Sequence, residues 1–247
     1  MKNYYLLVIC IGAIFNVKAE NSSNEQLTAL KAKVEDAIAK AEQTNSDLWS
    51  YKLSRYENEE GDVSSSIEHY KPQSNEQWIL EQINGQTPTK SEIKEFLENK
   101  QEQKGNIQVK LRQLINQQSL SIVSVDQESF VMAFNVNLKK LGDDSVGKLQ
   151  GELTYNQGKQ FIETISIWNN AEFSPMFTAN ITDLAITFTF VDIDGAVLVN
   201  KNEMMMKGSF AYFTEINETS VDTYSDYLYL GNEQSNEQNN EKSNDTK

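Results

Sequence analysis

The 247-residue chain has a formal net charge of −14, and 38% of its residues are hydrophobic. This acidic charge argues against nucleic acid and anionic membrane surfaces as partners, because binding to phosphate requires clustered Lys and Arg. The chain contains one cysteine, Cys10, and one histidine, His69. These counts exclude a disulfide framework and the usual Cys and His ligand sets of zinc.

The first nineteen residues have the pattern of a secretory signal peptide. Lys2 precedes an apolar run from Tyr4 to Phe15, and Val17-Lys18-Ala19 places small residues where a signal peptidase reads. We therefore predict removal of residues 1–19 and a periplasmic location, with secretion as the alternative. Cys10 lies inside the apolar run and leaves with it. No later apolar run is long enough to span a membrane, so the mature chain is predicted to have no transmembrane span.

Residues 22–45 have the amphipathic pattern of a helix. Its apolar positions are Leu27, Leu30, Val34, Ala37, Ile38 and Ala41. Ser22 with Glu25, or Ser23 with Gln26, has capping-box spacing, which predicts that the helix begins there.

Three strand-like runs follow, over residues 48–57, 63–70 and 76–83. In the second run, Val63, Ile67 and His69 fall on one side. The third run ends at Asn84-Gly85, a strong signal for a tight turn. Consecutive strands joined by short turns predict an antiparallel meander.

A second helix is predicted to begin after Pro88. Thr89 and Glu92 have capping-box spacing at its start. Its short apolar stripe consists of Ile93, Phe96 and Leu97. Residues 107–115 fit a short helix and a strand equally well.

From Leu120 to Leu230 the chain is predicted to be nearly all strand. The clearest alternation places Phe130, Met132, Phe134, Val136 and Leu138 on one face. Asp194-Gly195 predicts a hairpin between 183–193 and 196–199. Further strands are predicted over 148–155, 161–168, 204–212 and 221–230. Residues 232–247 contain no apolar residue and are predicted to form a disordered polar tail.

These elements predict an α+β fold: a curled antiparallel β-sheet, or half-barrel, with an N-terminal helix and an inserted helix packed against it. Residues 20–231 are predicted to form a single domain, between the signal peptide and the tail.

Catalytic and metal-binding patterns are missing from the sequence. No G-x-S-x-G elbow accompanies His69, and no glycine-rich phosphate loop is present. Asp192-Ile193-Asp194-Gly195 fits a hairpin better than a calcium loop, because the glycine comes too early. We therefore predict no catalytic residues, no metal site and no cofactor.

Aromatic residues provide the remaining signal. A ligand-binding role in an apolar lining is predicted for Trp49, Trp78, Trp168, Phe188 and Phe210. The same residues also suit a filled core, and the sequence leaves both readings open.

The order of parts resembles the periplasmic lipoprotein-carrier (LolA/LolB-like) superfamily. The likeness is carried by the helix Leu27–Ala41, the strand start Trp49-Ser50-Tyr51-Lys52-Leu53, the helix after Asn84-Gly85 and the strands from Leu120 to Leu230. The stretch W-x-L-x-x-x-N-G-x-x-P-T, from Trp78 to Thr89, is also similar to exported proteins of Gram-negative bacteria. The resemblance implies that a lipid-like ligand or a protein acyl group binds in the concave face of the sheet.

Three functions are consistent with the sequence. The first is a non-catalytic periplasmic protein that binds a lipid or another apolar ligand. The second is a protein-interaction or envelope-stress sensor module, with an envelope protein as its partner and no small ligand. An enzyme is the third, and a single histidine with no catalytic motif makes it the weakest of them.

Overall fold

The computed structural model describes residues 12–102, 110–136, 141–211 and 214–231. Residues 1–11 of the predicted signal peptide, Leu138 and the predicted tail 232–247 lie outside the described residues. The described chain consists of eleven strands, three α-helices and three short 3-10 helices.

The α-helices are α1 (Gly12–Gln43), α2 (Lys90–Glu102) and α3 (Leu111–Leu114), and the 3-10 helices are Ser46–Leu48, Gln117–Ser119 and Asp143–Ser145. The strands are β1 (Trp49–Glu59), β2 (Asp62–Tyr70), β3 (Trp78–Ile83), β4 (Ser121–Val125), β5 (Ser129–Asn135), β6 (Leu149–Asn156), β7 (Phe161–Asn169), β8 (Phe173–Met176), β9 (Ala179–Ile193), β10 (Ala196–Phe210) and β11 (Thr214–Tyr229).

The strands form one antiparallel sheet in the order β3-β2-β1-β11-β10-β9-β7-β6-β5-β4, with β8 paired to β9. The long central strands β9, β10 and β11 pair with one another in sequence order, β9 with β10 and β10 with β11. The strands β3 and β4 end the path on either side, so the sheet is not closed among the described residues. Helix α1 contacts both β7 and β10 on one face. This arrangement fits the predicted curled sheet with helices packed against it.

The predicted α+β class needs correction, because the described chain is mainly β. The strands β9, β10 and β11 are 15, 15 and 16 residues long. In particular, β10 is one strand where the sequence suggested two, since its polar middle from Lys201 to Glu203 stays paired with both neighbours, and Asn200 forms an irregularity in the pairing with β9. The ambiguous segment 107–115 contains the short helix α3.

Helix α1 begins earlier than predicted. It starts at Gly12 and passes through Ser22 and Ser23 without a break. The intervening residues contain no proline or glycine, so nothing ends the helix there. The predicted apolar face is confirmed: Leu30, Val34, Ala37 and Ile38 are buried.

The buried side chains form two separate clusters. The main core lies between α1, α3 and strands β5 to β10, and includes Phe130, Met132 and Phe134 at alternate positions, as predicted. The second cluster consists of Tyr51, Leu53 and Tyr70, with Trp78, Tyr224 and Tyr227 packed against it. The half of the sheet formed by β1, β2, β3 and β11 therefore has its own aromatic packing.

The predicted tight turn at Asn84-Gly85 and the predicted hairpin turn at Asp194-Gly195 are confirmed by their backbone angles. Asn84 and Gly85 have φ values of 50° and 73°, and Asp194 and Gly195 have 52° and 87°. Successive positive φ angles match the right-handed twist of a hairpin and explain the Asn-Gly and Asp-Gly pairs.

Gly151 has a packing role in the middle of β6. It lies opposite Phe134 in the register. A Cβ atom at this position would lie 2.5 Å from Cζ of the Phe134 ring. The ring therefore occupies the space that any other residue would fill.

The substitution Ile38→Ala tests the contribution of α1 to the main core. Ile38 is fully buried, so the change should lower the free energy of unfolding by about 2–5 kcal/mol. Chemical denaturation measures the change. Asp36→Ala, at an exposed position of the same helix, should stay within about 0.5 kcal/mol of the wild type. Equal effects of the two substitutions would show that α1 does not pack on the core.

Candidate ligand-binding groove

A groove with a volume of about 1620 Å³ lies on the face of the sheet that carries α1. Side chains from β1, β2, β3 and β11 line one side, and side chains from β9 and β10 line the other. The ends of α1 and α2 and the start of α3 lie around it. Its volume exceeds the roughly 300–1,000 Å³ of a typical small-molecule site, so it has room for an elongated ligand.

One side of the groove is an aromatic wall, which we define as Trp49, Tyr51, Tyr70, Trp78, Tyr224 and Tyr227. Alternation along β1 directs Trp49 and Tyr51 to this face, and the register places Tyr70 opposite Tyr51. The ring centroids of Tyr51 and Tyr70 are 5.1 Å apart, and those of Tyr70 and Trp78 are 4.9 Å apart. Such tilted contacts between rings stabilise the wall beyond the burial of apolar area.

The opposite side is an apolar wall, formed by Phe188, Phe190, Val197, Leu198 and Val199. Phe190 and Val199 are register partners on β9 and β10. Tyr227 crosses from the aromatic wall, and its Oη donates a hydrogen bond of 2.5 Å to the carbonyl oxygen of Val199. This bond fixes the spacing of the two walls at one end.

A charged pair, Arg55 and Asp222, lies between the walls. Arg55 Nε and Nη2 donate to the two carboxylate oxygens of Asp222 at 2.9 and 3.0 Å. Burial disfavours the charged guanidinium, but the hydrogen bonds and charge of Asp222 outweigh that effect and raise the pKa of Arg55 above its ordinary value. The residues are register partners on β1 and β11, so the pair is held rigidly.

A second charged pair joins β2 to α2. The Glu68 side chain is 3% exposed, and its Oε2 lies 2.7 Å from Lys100 Nζ. Glu68 Oε1 accepts a hydrogen bond of 2.9 Å from Ser66 Oγ. The same ammonium lies 4.2 Å from the ring centroid of Trp78, within the range of a cation–π interaction.

The tyrosines of the aromatic wall are held in their neutral form. Burial raises the pKa of Tyr224 to about 12, and the charge of Asp222 acts in the same direction. Burial, followed by the neighbouring tyrosines, also raises the pKa of Tyr51 and of Tyr227. Across the physiological range these hydroxyls therefore offer hydrogen bonds without charge.

The structure brings together three of the five predicted site residues. Trp49, Trp78 and Phe188 line the groove. Trp168 lies on β7 with its side chain on the opposite face, because its neighbour Ile167 faces the core. Phe210 ends β10, is 44% exposed and does not line the groove.

Sequence reasoning missed the charged residues of the groove. In β2 the alternation put Val63, Ile67 and His69 on one side without showing which side is covered, and the buried side carries Glu68 and Tyr70. His69 lies on the other face, with Nδ1 at 3.6 Å from a carboxylate oxygen of Glu81. The alternation of β2 was visible, but only the packing of α2 shows that its polar side is the covered one.

Among the described residues, no group of three or more His, Cys, Asp or Glu side chains is placed to hold a metal ion. None of the described helices combines the length and apolar character needed to cross a membrane.

The chain matches no protein-family model and no curated protein. It is similar to the crystal structure of a DUF1329 family protein from Desulfovibrio piger, with 8% identity and a TM-score of 0.34, over 80% of this chain and 92% of that chain. It is also similar to the crystal structure of MucB in complex with MucA(peri), with 9% identity and a TM-score of 0.23, over 78% and 94% of the two chains. At these TM-scores neither likeness assigns a function, and the resemblance of the sequence to the lipoprotein-carrier superfamily stays a prediction.

Alkaline titration tests the burial of Tyr224. Its pKa is 10.0 in the unfolded chain and about 12 in the fold, so the unfolded state loses its proton first. The contribution of Tyr224 to the free energy of unfolding is therefore constant below about pH 10 and falls as the pH rises from there towards 12. Tyr224→Phe should reduce this alkaline loss by about 2–3 kcal/mol. Denaturation at several pH values measures it.

An alkaline loss that is the same in wild type and Tyr224→Phe would contradict the burial of this hydroxyl.

Proposed function

We propose that this chain is a non-catalytic binding protein that holds an elongated ligand with an apolar chain in the groove. The observation that carries the proposal is the open groove between the aromatic and apolar walls. A lipid or another acyl-chain ligand is the class of molecule whose length and apolar area suit it. No cofactor is part of the proposal.

The contrast between the two halves of the sheet supports a groove that is available to a ligand. In the main core, Phe130, Met132, Leu153 and Ile165 have no exposed surface. In the groove, Trp78, Tyr224, Tyr227 and Phe188 are only half-buried. Aromatic and aliphatic surface of this kind gains about 25 cal/mol per Å² when a ligand removes it from water.

The position of His69 supports a non-catalytic role. Among the described residues that line the groove there is no histidine, and His69 is on the opposite face of the sheet with Glu81. The carboxylates Asp222 and Glu68 each contact a cationic side chain, which leaves neither as an obvious acid or base.

We further propose that the protein is exported to the periplasm. The support comes from the apolar run and the Val17-Lys18-Ala19 segment. The residues of α1 that the structure shows buried against the sheet, Leu30, Val34, Ala37 and Ile38, all lie after residue 19. Removal of residues 1–19 therefore keeps these four contacts in the mature chain.

Expression of the full-length chain in a Gram-negative host tests the export. The mature protein in the periplasmic fraction should begin at Glu20, because the peptidase reads Val17 and Ala19 before that bond. N-terminal sequencing and intact mass identify the first residue. An unprocessed chain that stays in the cytoplasm would contradict the proposal.

Displacement of the neutral apolar dye N-phenyl-naphthylamine by decanol tests the groove. Trp78→Ala and Phe188→Ala each remove apolar contact area and should weaken binding by about tenfold or more. Trp168→Ala, on the opposite face, is the matched control and should bind like the wild type. Fluorescence titration gives the three dissociation constants.

An equal loss in all three variants would place the binding site elsewhere. Absence of saturable binding to the wild-type protein would contradict the proposal and favour the second function predicted from the sequence, a protein-interaction or envelope-stress sensor module with an envelope protein partner.

A further inference from the structure

The charges along the groove are balanced, whereas the chain as a whole is strongly acidic. The charged lining residues are four acids and four bases: Glu42, Asp47, Glu76, Asp222, Arg55, Lys100, Lys110 and Arg112. The buried carboxylate of Glu68 adds one more negative charge behind this lining. The net charge of −14 gives the protein an overall field that attracts cations and repels anions.

The two charged pairs of the groove differ in how firmly their cations are held. Arg55 and Asp222 are on neighbouring strands and form a bidentate contact, so neither can leave without disturbing the sheet. Glu68 is equally fixed, since it is buried in β2. The Lys100 side chain is only 12% exposed, but it makes a single contact with its carboxylate and is carried by α2, in which none of residues 90–100 is fully buried.

The position occupied by the Lys100 ammonium is a complete subsite for a cation. It combines a buried carboxylate oxygen of Glu68 at 2.7 Å with the Trp78 ring centroid at 4.2 Å and the Phe96 ring centroid at 5.2 Å. A charge-assisted hydrogen bond and an aromatic face are the two groups by which proteins recognise alkylammonium ions. Trp78 and Lys100 both line the groove, and Glu68 is buried behind them.

We propose that the groove binds a cationic amphiphile, with its ammonium head at the Glu68–Trp78 subsite and its apolar chain along the groove. The Lys100 ammonium occupies the subsite in the absence of ligand, and the ligand's ammonium head displaces it on binding. This inference rests on the proposed function, because it requires that the groove accept an apolar chain.

The opposite assignment, an amphiphile with a carboxylate head, is disfavoured by the same contacts. Arg55, Lys100 and Arg112 already contact carboxylates of the protein. At Arg55 or Lys100, a ligand carboxylate would have to displace Asp222 or Glu68 from a β-strand. A ligand ammonium has only to displace one long side chain of α2.

A series of ligands with one chain length and different heads tests the proposal on the wild-type protein. The probes are n-decylammonium, n-decanol and n-decanoate, each titrated below its micelle concentration. Decylammonium should bind about tenfold more tightly than decanol, because one charge-assisted hydrogen bond contributes free energy of about that size. Decanoate should bind most weakly of the three. Fluorescence of Trp49 and Trp78 and calorimetry report the binding.

Two substitutions, each with a matched control, test where the ammonium head of the ligand binds. Glu68→Gln should bring the affinity for decylammonium down to that for decanol and leave decanol unchanged. Glu81→Gln, on the opposite face of the sheet, is the control and should keep the preference. Lys100→Met should raise the affinity for decylammonium about tenfold because the internal competitor is gone, while Lys94→Met, 78% exposed on the same helix, should not.

The double variant Glu68→Gln with Lys100→Met removes both charges together, so it avoids an unpaired buried charge if either single variant fails to fold. It should bind all three probes with similar affinity. Binding of all three probes by the wild type without a preference for the ammonium, or with a preference for decanoate, would overturn the inference and leave the proposed function standing. Failure of every probe to bind would overturn both.

Discussion

The antiparallel pairing of β11 with β1 joins the β3-β2-β1 meander to the rest of the sheet. It connects the meander to the long strands β10 and β9, and it runs from Trp49 opposite Tyr229 to Glu59 opposite Glu218. Without it Trp49, Tyr51, Tyr70 and Trp78 would lie on a different sheet from the apolar wall. The Arg55–Asp222 pair sits on this seam and fixes its register with two hydrogen bonds.

The β1–β11 pairing also lies between the densely packed part of the sheet and the part that leaves a groove. Helix α1 packs on the first of these parts through β7 and β10, and most of the inward-facing side chains from β5 to β10 are buried. The strands β1, β2, β3 and β11 extend beyond the helix, so their aromatic residues pack on one another, and Trp78 of β3 also contacts Lys100 near the end of α2. A sheet that is wider than the helix covering it leaves a groove along the uncovered part.

Many local features could be predicted from the sequence, since short-range geometry controls them. The turns at Asn84-Gly85 and Asp194-Gly195 are examples, because Asn, Asp and Gly adopt positive φ angles more readily than other residues. The Thr89–Glu92 capping box is another, with hydrogen bonds of 2.7 Å from both the backbone N–H and Oγ of Thr89 to Glu92. The start of α1 and the length of β10 could not be predicted, because no local stop signal accompanies the helix and long-range pairing sustains the strand.

The sequence by itself determined the alternation of the strands, the apolar face of α1 and the acidic charge, because each depends on residue identity and spacing alone. Only the tertiary structure decided which strand faces point into the groove. In the fold, Trp49, Trp78 and Phe188 line the groove, whereas Trp168 lies on the opposite face of the sheet. Glu68 is buried in contact with Lys100. The physical reason is that alternation defines two faces of a strand, whereas the choice between them depends on what packs against the sheet from a distant part of the chain.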